Sequence, residues 1–215
     1  MKQFVVIGCG RFGSSVAETL CSMGNEVLAI DSSEEIIQSI APYVTHAAQA
    51  EATDEFALKS LGIGNFDVAI ISIAGNIQSS IMAALIVKEM GVKYIVAKAQ
   101  SELHAKVLTK IGVDRVVFPE REMGKRVARN LTTSNIVDFI ELSPEYSIVE
   151  TMLPEKWVNK TLVEIDVRAN YNVSVMAIKN GNKINVAPKA TDALKKEDIL
   201  VVIGHNDDLK KIENV

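Results

Sequence analysis

Val5-Val6-Ile7-Gly8-Cys9-Gly10-Arg11-Phe12-Gly13 is the stretch that decides the fold of this 215-residue chain. It places the pattern G-x-G-x-x-G directly after an apolar, strand-like run and at the start of a segment with helical periodicity. In such a unit, Gly8 permits the tight turn, Gly10 lets the backbone approach a phosphate, and Gly13 lets helix and strand pack closely. The stretch therefore predicts a Rossmann-type domain that binds a nucleotide.

The residues that follow support this interpretation. Phe12, Val16 and Leu20 recur at helical spacing, and a second apolar strand ends at Asp31, 18 residues after Gly13. A carboxylate at this position accepts hydrogen bonds from the ribose hydroxyls of an adenosine and repels the 2′-phosphate of NADP. It does not choose between NAD and ATP, because both contain the same adenosine ribose.

Apolar, strand-like runs alternate with helix-like segments through the first part of the chain. The runs are residues 4–7, 27–30, 44–48, 68–73, 94–97 and 115–118. Six strands with helices between them predict an α/β fold with a doubly wound parallel sheet. The helices after the second to fifth strands are expected to begin at the ligand-binding edge of the sheet, at Ser32, at Thr53 or Asp54, at Asn76 and at Ser101.

The pattern changes near residue 135. Residues 136–142 and 147–153 read as strands without a long helix between them, and residues 171–179 and 183–186 flank the hairpin signal Asn180-Gly181-Asn182. Another strand at 198–203 and a short helix at 207–212 complete a small α+β domain. We therefore expect two domains, residues 1–134 and residues 135–215.

The composition excludes several classes of protein. With 48% hydrophobic residues, 23% charged residues and a formal charge of -4, the chain is globular and lacks the positive field of a nucleic-acid binder. Cys9 and Cys21 indicate neither a zinc site nor a disulfide scaffold, which favours the reduced cytoplasm. Met1 runs almost directly into a strand, so no signal peptide is expected. The apolar runs are too short to cross a bilayer, so any role at a membrane requires a partner.

The charged and titratable side chains near the glycine loop leave alternatives open. Arg11 suits a phosphate-rich ligand, or it is a solvated residue of the first turn. His104 contacts the ligand or has a structural role. The histidines form no arrangement with Cys, Ser or Asp that indicates nucleophilic or general-base catalysis, so no catalytic residue is assigned. A small NAD-dependent oxidoreductase and an NADH-sensing protein remain alternatives, because the glycine pattern would serve them equally.

Two helices carry patterns that suggest self-association. Ile77, Ile81 and Leu85 belong to a helix that is apolar almost all round, which predicts burial on two sides. On the last helix of the first domain, an apolar stripe stands opposite a basic one, and this helix either packs on a neighbouring subunit or exposes a solvated face. Its apolar residues are Met123, Val127 and Leu131, and its basic residues are Arg121, Lys125 and Arg129.

Four stretches together resemble the RCK (TrkA-type) family, the regulators of potassium conductance, and are most similar to the cytosolic gating subunits of Ktr potassium uptake systems. The stretches are residues 6–13, Ala74-Gly75-Asn76-Ile77-Gln78-Ser79, Ala97-Lys98-Ala99-Gln100 and Pro119-Glu120-Arg121-Glu122-Met123-Gly124. The likeness extends over the whole chain, as an N-terminal and a C-terminal RCK domain. One stretch departs from the family pattern, since Ala50-Glu51-Ala52-Thr53 stands where family members often have Gly-Asp or Asn-Ala.

The resemblance implies a regulatory role. In the family, dimers assemble into a ring of eight cytoplasmic subunits that docks on a membrane potassium-translocating subunit at the inner face of the membrane. ATP favours the conducting state and ADP the closed state, and NAD or NADH also binds. The resemblance also implies that Glu120 helps to hold a divalent cation, Mg²⁺ or Ca²⁺, near the terminal phosphates.

The glycine pattern and the resemblance together predict the residues of the nucleotide site. They are Gly8, Gly10, Arg11, Phe12, Gly13, Asp31, Ser32, Ser33, Glu51, Ala52, Ile73, Ala74, Gly75, Lys98, Ala99, Gln100, His104 and Glu120. The resemblance places Asp31, Ser32 and Ser33 at the ribose and Arg11 at phosphates, including those of an adjacent subunit.

The resemblance further implies a second ligand, cyclic di-AMP, at a dimer interface of the C-terminal domain. Arg168 can pair with a phosphate, and apolar side chains can cover adenine; the alternative is an ordinary dimer core with a surface arginine. The predicted residues are Ile165, Asp166, Val167, Arg168, Asn172, Val173 and Pro188.

Overall fold

The computed structural model describes residues 2–132 and 136–213 and divides the chain into two compact units, Met1–Glu120 and Arg121–Val215. The predicted boundary between residues 134 and 135 lies outside the described residues. Within the described ranges, no helix is long and apolar enough to cross a bilayer.

The first unit contains the predicted parallel sheet. Its strands are β1 (Gln3–Ile7), β2 (Glu26–Asp31), β3 (His46–Gln49), β4 (Val68–Ile71), β5 (Tyr94–Lys98) and β6 (Arg115–Val117). They pair in parallel in the order β3-β2-β1-β4-β5-β6, which confirms the doubly wound Rossmann-type fold. Because the strand order reverses between β1 and β4, a crevice opens at their carboxyl ends, where this architecture binds ligands.

Helices connect these strands. They are α1 (Arg11–Ser22), α2 (Glu34–Ile40), α3 (Glu55–Ser60), α4 (Ile77–Glu89) and α5 (Glu102–Ile111), with short 3-10 turns at Ala41–Tyr43 and Ile63–Asn65. The next helix, α6 (Pro119–Thr132), follows β6 and continues from the first unit into the second. The side chains of Asp54, Asn76 and Ser101 cap α3, α4 and α5 at their N-termini, as predicted. These caps fix the points at which the chain turns back from the sheet edge.

The cap of α2 differs from the prediction. Ser33, not Ser32, accepts the hydrogen bond from the N–H of Ile36. The reason is Asp31, whose Oδ1 accepts the N–H of Ser33 at 3.0 Å and turns the chain at the end of β2. Ser32 is thereby left outside the helix and on the crevice.

The sheet is covered on both faces. Ile7 and Ile71 belong to one core cluster, with Ala83 and Val87 of α4. Val6 belongs to the cluster on the other side, with Ala17 of α1 and Ala29 of β2. Burial on both faces explains why the strands read as continuous apolar runs rather than alternating ones.

The predicted interaction helices expose apolar side chains. On α4, one face is buried, whereas Ile77, Met82 and Leu85 are partly exposed. The sequence predicts burial on two sides of this helix, and the chain itself buries only one of them. On α6, Met123, Val127 and Leu131 are all exposed, Leu131 by 81%. Both helices therefore present apolar surface that this chain does not cover.

The second unit contains an antiparallel sheet with short helices. Its strands are β7 (Ile136–Glu141), β8 (Tyr146–Met152), β9 (Ser174–Asn180), β10 (Lys183–Asn185) and β11 (Ile199–His205), and its helical segments are a 3-10 turn at Glu155–Trp157, α7 (Leu162–Ile165), α8 (Val167–Tyr171) and α9 (Asn206–Glu213). The strand order is β10-β9-β11-β8-β7. The core joins Val149, Trp157, Leu194, Leu200 and Leu209.

The predicted strand at 171–179 begins later than expected. Tyr171 ends α8, where its ring packs edge-on against Trp157 with ring centroids 5.2 Å apart. Asn172 then adopts the left-handed conformation, with φ 54°, which stops the helix before β9 begins. The hairpin prediction is confirmed, since Asn180 pairs with Lys183 across Gly181 and Asn182.

Candidate functional site

A cleft of about 370 Å³ lies in the crevice at the carboxyl ends of β2, β1 and β4. Nine of the predicted nucleotide residues line it: Gly8, Gly10, Asp31, Ser32, Glu51, Ala52, Ile73, Ala74 and Gly75. Eight further lining residues were not predicted: Ile7, Ile30, Ile36, Ala50, Thr53, Ser72, Asn76 and Ser79. They flank predicted residues along the chain, except Ile36 and Ser79, which lie in the first turns of α2 and α4.

Glycine is needed at the three loop positions for different structural reasons. Gly8 has φ +93°, and a Cβ there would lie 2.9 Å from the carbonyl carbon of Ser72. A Cβ on Gly13 would lie only 2.0 Å from the carbonyl oxygen of Gly8. A Cβ on Gly10 would have no protein atom within 4 Å. Gly8 and Gly13 are therefore required by packing, whereas Gly10 only keeps space open in the cleft.

The start of α1 can receive an anion. Gly10 is the N-cap and has no side chain that accepts a hydrogen bond from the first turn. The first turn also contains no acidic residue. The free N–H groups and the positive end of the helix dipole therefore favour a phosphate at the glycine loop.

Asp31 has a structural role that the sequence did not predict. Its Oδ2 accepts the N–H of Cys9 at 2.7 Å, and its Oδ1 accepts the N–H of Ser33 at 3.0 Å. The carboxylate thus ties the glycine loop to the start of α2. Each carboxylate oxygen has more than one lone pair, so Asp31 can hold the loop and still accept hydroxyl hydrogen bonds from a ribose.

Cys9 cannot act as a nucleophile in this setting. The side chain is buried, and burial together with the negative charge of Asp31 raises the pKa of the thiol to about 12. The thiol therefore stays protonated at physiological pH.

Several predicted residues do not line the cleft. Gly13 packs beneath the loop, Ser33 caps α2, and Ala99 is buried in the core. Phe12 lies along a different groove, on the side of the sheet that α1 covers, beside Phe4 and Val16. None of these four residues forms part of the cleft wall.

Lys98, Glu120 and Arg11 form a charged group beyond the end of the cleft. Lys98 is only 7% exposed, and its ammonium donates a hydrogen bond to Oε1 of Glu120. This hydrogen bond is the main cause of the lowered pKa of Glu120, and the positive charge of Arg11 lowers it further. Within residues 2–132 and 136–213, no group of three or more His, Cys, Asp or Glu could hold a metal ion.

Gln100 and His104 support the cleft without lining it. The side-chain amide of Gln100 donates to the carbonyl oxygen of Ala74, on the cleft wall. The backbone N–H of Gln100 donates in turn to Nδ1 of His104 at 3.4 Å. His104 is 2% exposed, and its Nε2 has no hydrogen-bond partner among the described residues. Of the two alternatives for His104, the geometry favours the structural one.

A second cleft, of about 340 Å³, lies in the C-terminal unit. Four predicted residues line it: Asp166, Val167, Arg168 and Pro188. Its other walls come from Leu162, Val163, Val175 and Ala190. The arrangement combines one exposed guanidinium with apolar walls, which suits a phosphate joined to a flat apolar ring.

The other three residues predicted for this cleft lie elsewhere. Ile165 and Val173 are buried in the core. Val173 packs closely on Gly204, since a Cβ added to Gly204 would lie 2.7 Å from Cγ1 of Val173. Asn172 caps α8 and donates from Nδ2 to Asp208 at 2.8 Å. The apolar faces expected from Ile165 and Val173 come instead from Leu162, Val163, Val175 and Ala190.

Comparison with known proteins identifies the family. The family model of the TrkA-N domain matches residues 4–119, and that of the TrkA-C domain matches residues 148–215. The chain belongs to the TrkA family. The predicted resemblance to RCK (TrkA-type) proteins is therefore confirmed.

Relatives of this TrkA protein extend over its whole length. It is 45% identical to the Ktr system potassium uptake protein C of Bacillus subtilis, over 99% of this chain and 96% of that protein. It is 36% identical to the Ktr system potassium uptake protein A of Vibrio alginolyticus, over 97% of this chain and 94% of that one. A solved structure, the GsuK channel bound to NAD, matches 99% of this chain and 39% of its own, with a TM-score of 0.66 and 17% identity, which shows the shared fold.

The buried His104 of the TrkA-N domain predicts a pH effect on stability. Burial lowers its pKa below 6.5, whereas the unfolded chain regains the ordinary value of about 6.5. Stability is therefore full above about pH 6.5, and it falls as the pH drops below that value, because the unfolded chain then binds a proton that the folded chain does not. We expect the free energy of unfolding, measured in urea, to decrease between about pH 7 and 5.

His104→Asn is the matched variant for this prediction. Asparagine does not titrate, and its Oδ1 can accept the N–H of Gln100 in place of Nδ1. The pH slope above about pH 5 should disappear in this variant. An equal slope in both proteins would show that other groups cause it.

Proposed function

We propose that this protein is the cytoplasmic regulatory subunit of a Ktr-type potassium uptake system and that it is not an enzyme. It binds an adenine nucleotide in the N-terminal cleft and, in response, gates a membrane potassium-translocating subunit. The observation that supports this proposal most strongly is the cleft itself, where the Asp31 carboxylate and the uncapped start of α1 lie on either side of the glycine loop. The full-length similarity to Ktr proteins supports the potassium system.

The chemistry of the cleft favours an adenosine with a phosphate chain. Asp31 and Ser32 stand where a ribose would lie, at the end of β2, and residues 50–53 follow β3 on the adenosine side. The phosphates would lie at Gly10, over the first turn of α1. ATP and ADP are the proposed ligands, with NAD or NADH as a second class, since the GsuK channel, which shares this fold, has been solved bound to NAD. NADP is disfavoured by the charge of Asp31.

Titration calorimetry with ATP, ADP, NADH and NADPH tests the ligand class. We expect ATP and ADP to bind, and NADPH to bind more weakly than NADH. A protein that binds none of the four would disprove the nucleotide site. Steady oxidation of NADH with a candidate substrate would instead support the oxidoreductase alternative.

A divalent cation, Mg²⁺ or Ca²⁺, is proposed to bind with the terminal phosphates. Glu120 offers one exposed carboxylate near Arg11 and Lys98, and it would share the cation with phosphate oxygens. Calorimetry with ATP in the presence of Mg²⁺ and in EDTA tests this, since Mg²⁺ should tighten binding only when Glu120 is present.

Self-association is proposed to use the apolar faces of α4 and α6. Ile77, Met82 and Leu85 on α4, and Met123 and Val127 on α6, are partly or largely exposed. Apolar side chains in such rows are typical of protein interfaces. We propose a homodimer that assembles into an octameric ring beneath the membrane subunit. Light scattering with and without ATP and ADP measures the particle mass, and a monomer under all conditions would contradict the ring.

Cyclic di-AMP is the proposed ligand of the C-terminal cleft, with Arg168 on a phosphate and Val163, Val175 and Pro188 against adenine. Arg168→Gln removes a charge-assisted hydrogen bond and is expected to weaken cyclic di-AMP binding by roughly 10- to 100-fold. Calorimetry measures the change.

Two variants make this test specific. Arg168→Lys keeps the charge but loses the bidentate geometry, so it should fall between wild type and Arg168→Gln. Lys156→Gln, an exposed residue outside the cleft, makes the same change in net charge and should bind as wild type. Equal binding by Arg168→Gln and wild type would reject the assignment.

A further inference from the structure

The ammonium of Lys98 is a buried charge whose counter-ion is largely exposed. Lys98 is 7% exposed, whereas the side chain of its partner Glu120 is 72% exposed. A buried ammonium requires an anion next to it, because burial without a partner is costly. The exposed carboxylate can leave for water at little cost, provided that another anion takes its place. The pair is therefore suited to exchange one anion for another.

The position of the pair along the sheet indicates which anion that is. The cleft runs over β2, β1 and β4, from Asp31 to the loop at Ala74 and Gly75. Lys98 ends β5, which is the next strand and lies about 4.8 Å further on. A phosphate chain that starts at the Asp31 side and crosses the start of α1 points towards Lys98.

Arg11 joins the two places. It is the first residue of α1, so its backbone belongs to the turn that faces the phosphates. Its positive charge also acts on Glu120, as the lowered pKa of that carboxyl shows. Lys98 and Arg11 thus place two positive charges near Glu120, whose carboxylate offsets one of them.

We propose that Glu120 competes with the terminal phosphate of a nucleoside triphosphate for Lys98 and thereby sets the preference between triphosphate and diphosphate. This proposal rests on the proposed nucleotide function of the cleft. A third phosphate displaces the carboxylate and brings its own negative charge to Lys98, whereas a diphosphate is too short to do so. Because Glu120 lies in the first turn of α6, displacement changes the contacts at the start of that helix.

Glu120→Gln tests the competition, with calorimetry of ATP, ADP and AMP in EDTA. The amide has no charge, so Lys98 becomes available to the third phosphate. We expect ATP to bind about five- to tenfold more tightly than to wild type, ADP to change by less than about twofold, and AMP not to change. EDTA removes divalent cations, so that the loss of a cation ligand does not offset the gain in ATP affinity.

Glu122→Gln is the matched control. Glu122 is an exposed carboxylate two residues further along α6, which places it on a different side of the helix from Glu120. The substitution makes the same change in net charge, and the affinity for ATP should stay within about twofold of wild type. An equal gain in both variants would show a general charge effect and would overturn the competition.

The double variant Lys98→Met/Glu120→Gln covers the case in which Glu120→Gln is destabilised by its uncompensated ammonium. It removes both charges, and the ratio of ATP to ADP affinity should then fall below that of Glu120→Gln. If the double variant keeps the full ATP preference, Lys98 is not the phosphate partner. If wild type binds ATP and ADP but Glu120→Gln binds ATP no better in EDTA, this inference alone fails. If wild type binds neither nucleotide, the proposed function fails with it.

Discussion

Replacing Gly13 by alanine is expected to unfold or severely destabilise the N-terminal unit. The new Cβ would lie 2.0 Å from the carbonyl oxygen of Gly8 and 3.3 Å from Cβ of Ser72. Both neighbouring atoms belong to segments that are fixed at the sheet, so the clash can be relieved only if α1 moves away from β1. The expected loss is about 3 kcal/mol or more in the free energy of unfolding, measured in urea.

Two other glycines serve as controls for this prediction. Gly10→Ala places a Cβ in open space, so the fold should survive, but the methyl group would enter the cleft and weaken nucleotide binding. Gly124→Ala lies within α6, also with nothing within 4 Å, and should raise stability by about 0.5 to 1 kcal/mol. A Gly13→Ala protein as stable as these two would contradict the packing argument.

The first unit shows how far a local pattern can predict a fold. Gly8 has a positive φ and Gly13 leaves no room for a Cβ, so the turn that they form leaves few alternatives for the strand and helix on either side. The predicted helix starts at Asp54, Asn76 and Ser101 are confirmed because a single side chain accepts a backbone N–H in each case. A cap is formed by residues that are close together in the sequence, so it can be predicted from the sequence alone.

The α2 cap shows where local reasoning ends. The capping-box spacing of Ser32 and Glu35 points to Ser32 as the cap, whereas Ser33 is the cap in the structure. The choice is made by Asp31, which holds the N–H of Ser33, and Asp31 is itself held by the N–H of Cys9 in the glycine loop after another strand. Contacts between distant segments of the chain cannot be obtained from capping spacing.

The ion pair of Lys98 and Glu120 was not predicted, although both residues were. The two are 22 positions apart and come together only because β5 and β6 are neighbours in the sheet. Similarly, the sequence leaves His104 either at the ligand or in the structure, and its burial, which favours the structural role, becomes visible only in the packed fold. A motif can predict which residues belong to a site. Which side chain each of them contacts can be known only once the strands are packed in the sheet.

In the C-terminal unit the strands were easier to predict than the short helices. The helices α7 and α8 contain four and five residues, too few for a helical period to be visible. One signal was present, because Thr161 and Glu164 form a capping box at the start of α7. These turns place Arg168 on the cleft and turn Ile165 into the core, which explains why three of the predicted cleft residues lie elsewhere.

Asp31→Asn is expected to reduce nucleotide affinity by roughly 100-fold or more. The carboxylate would accept charge-assisted hydrogen bonds from ribose hydroxyls, each contributing about 1.5 to 3 kcal/mol, and an amide is a weaker acceptor with one oxygen. That oxygen can still accept the N–H of either Cys9 or Ser33, so the loop keeps one of its two ties. Calorimetry with ATP and ADP measures the loss, and thermal unfolding reports the fold.

Asp31→Ala separates the two roles of this carboxylate. It removes both backbone ties, leaves the N–H of Cys9 without its acceptor, and should cost about 1 to 3 kcal/mol of stability in addition to the loss of binding. Asp67→Asn is the matched control, because Asp67 also accepts a backbone N–H, from Gln3 at 3.0 Å, but precedes β4 at the opposite edge of the sheet. Its effect on binding should be negligible. If Asp31→Asn binds ATP as tightly as Asp67→Asn does, then Asp31 only holds the glycine loop, and the ribose must be bound by other residues of the cleft.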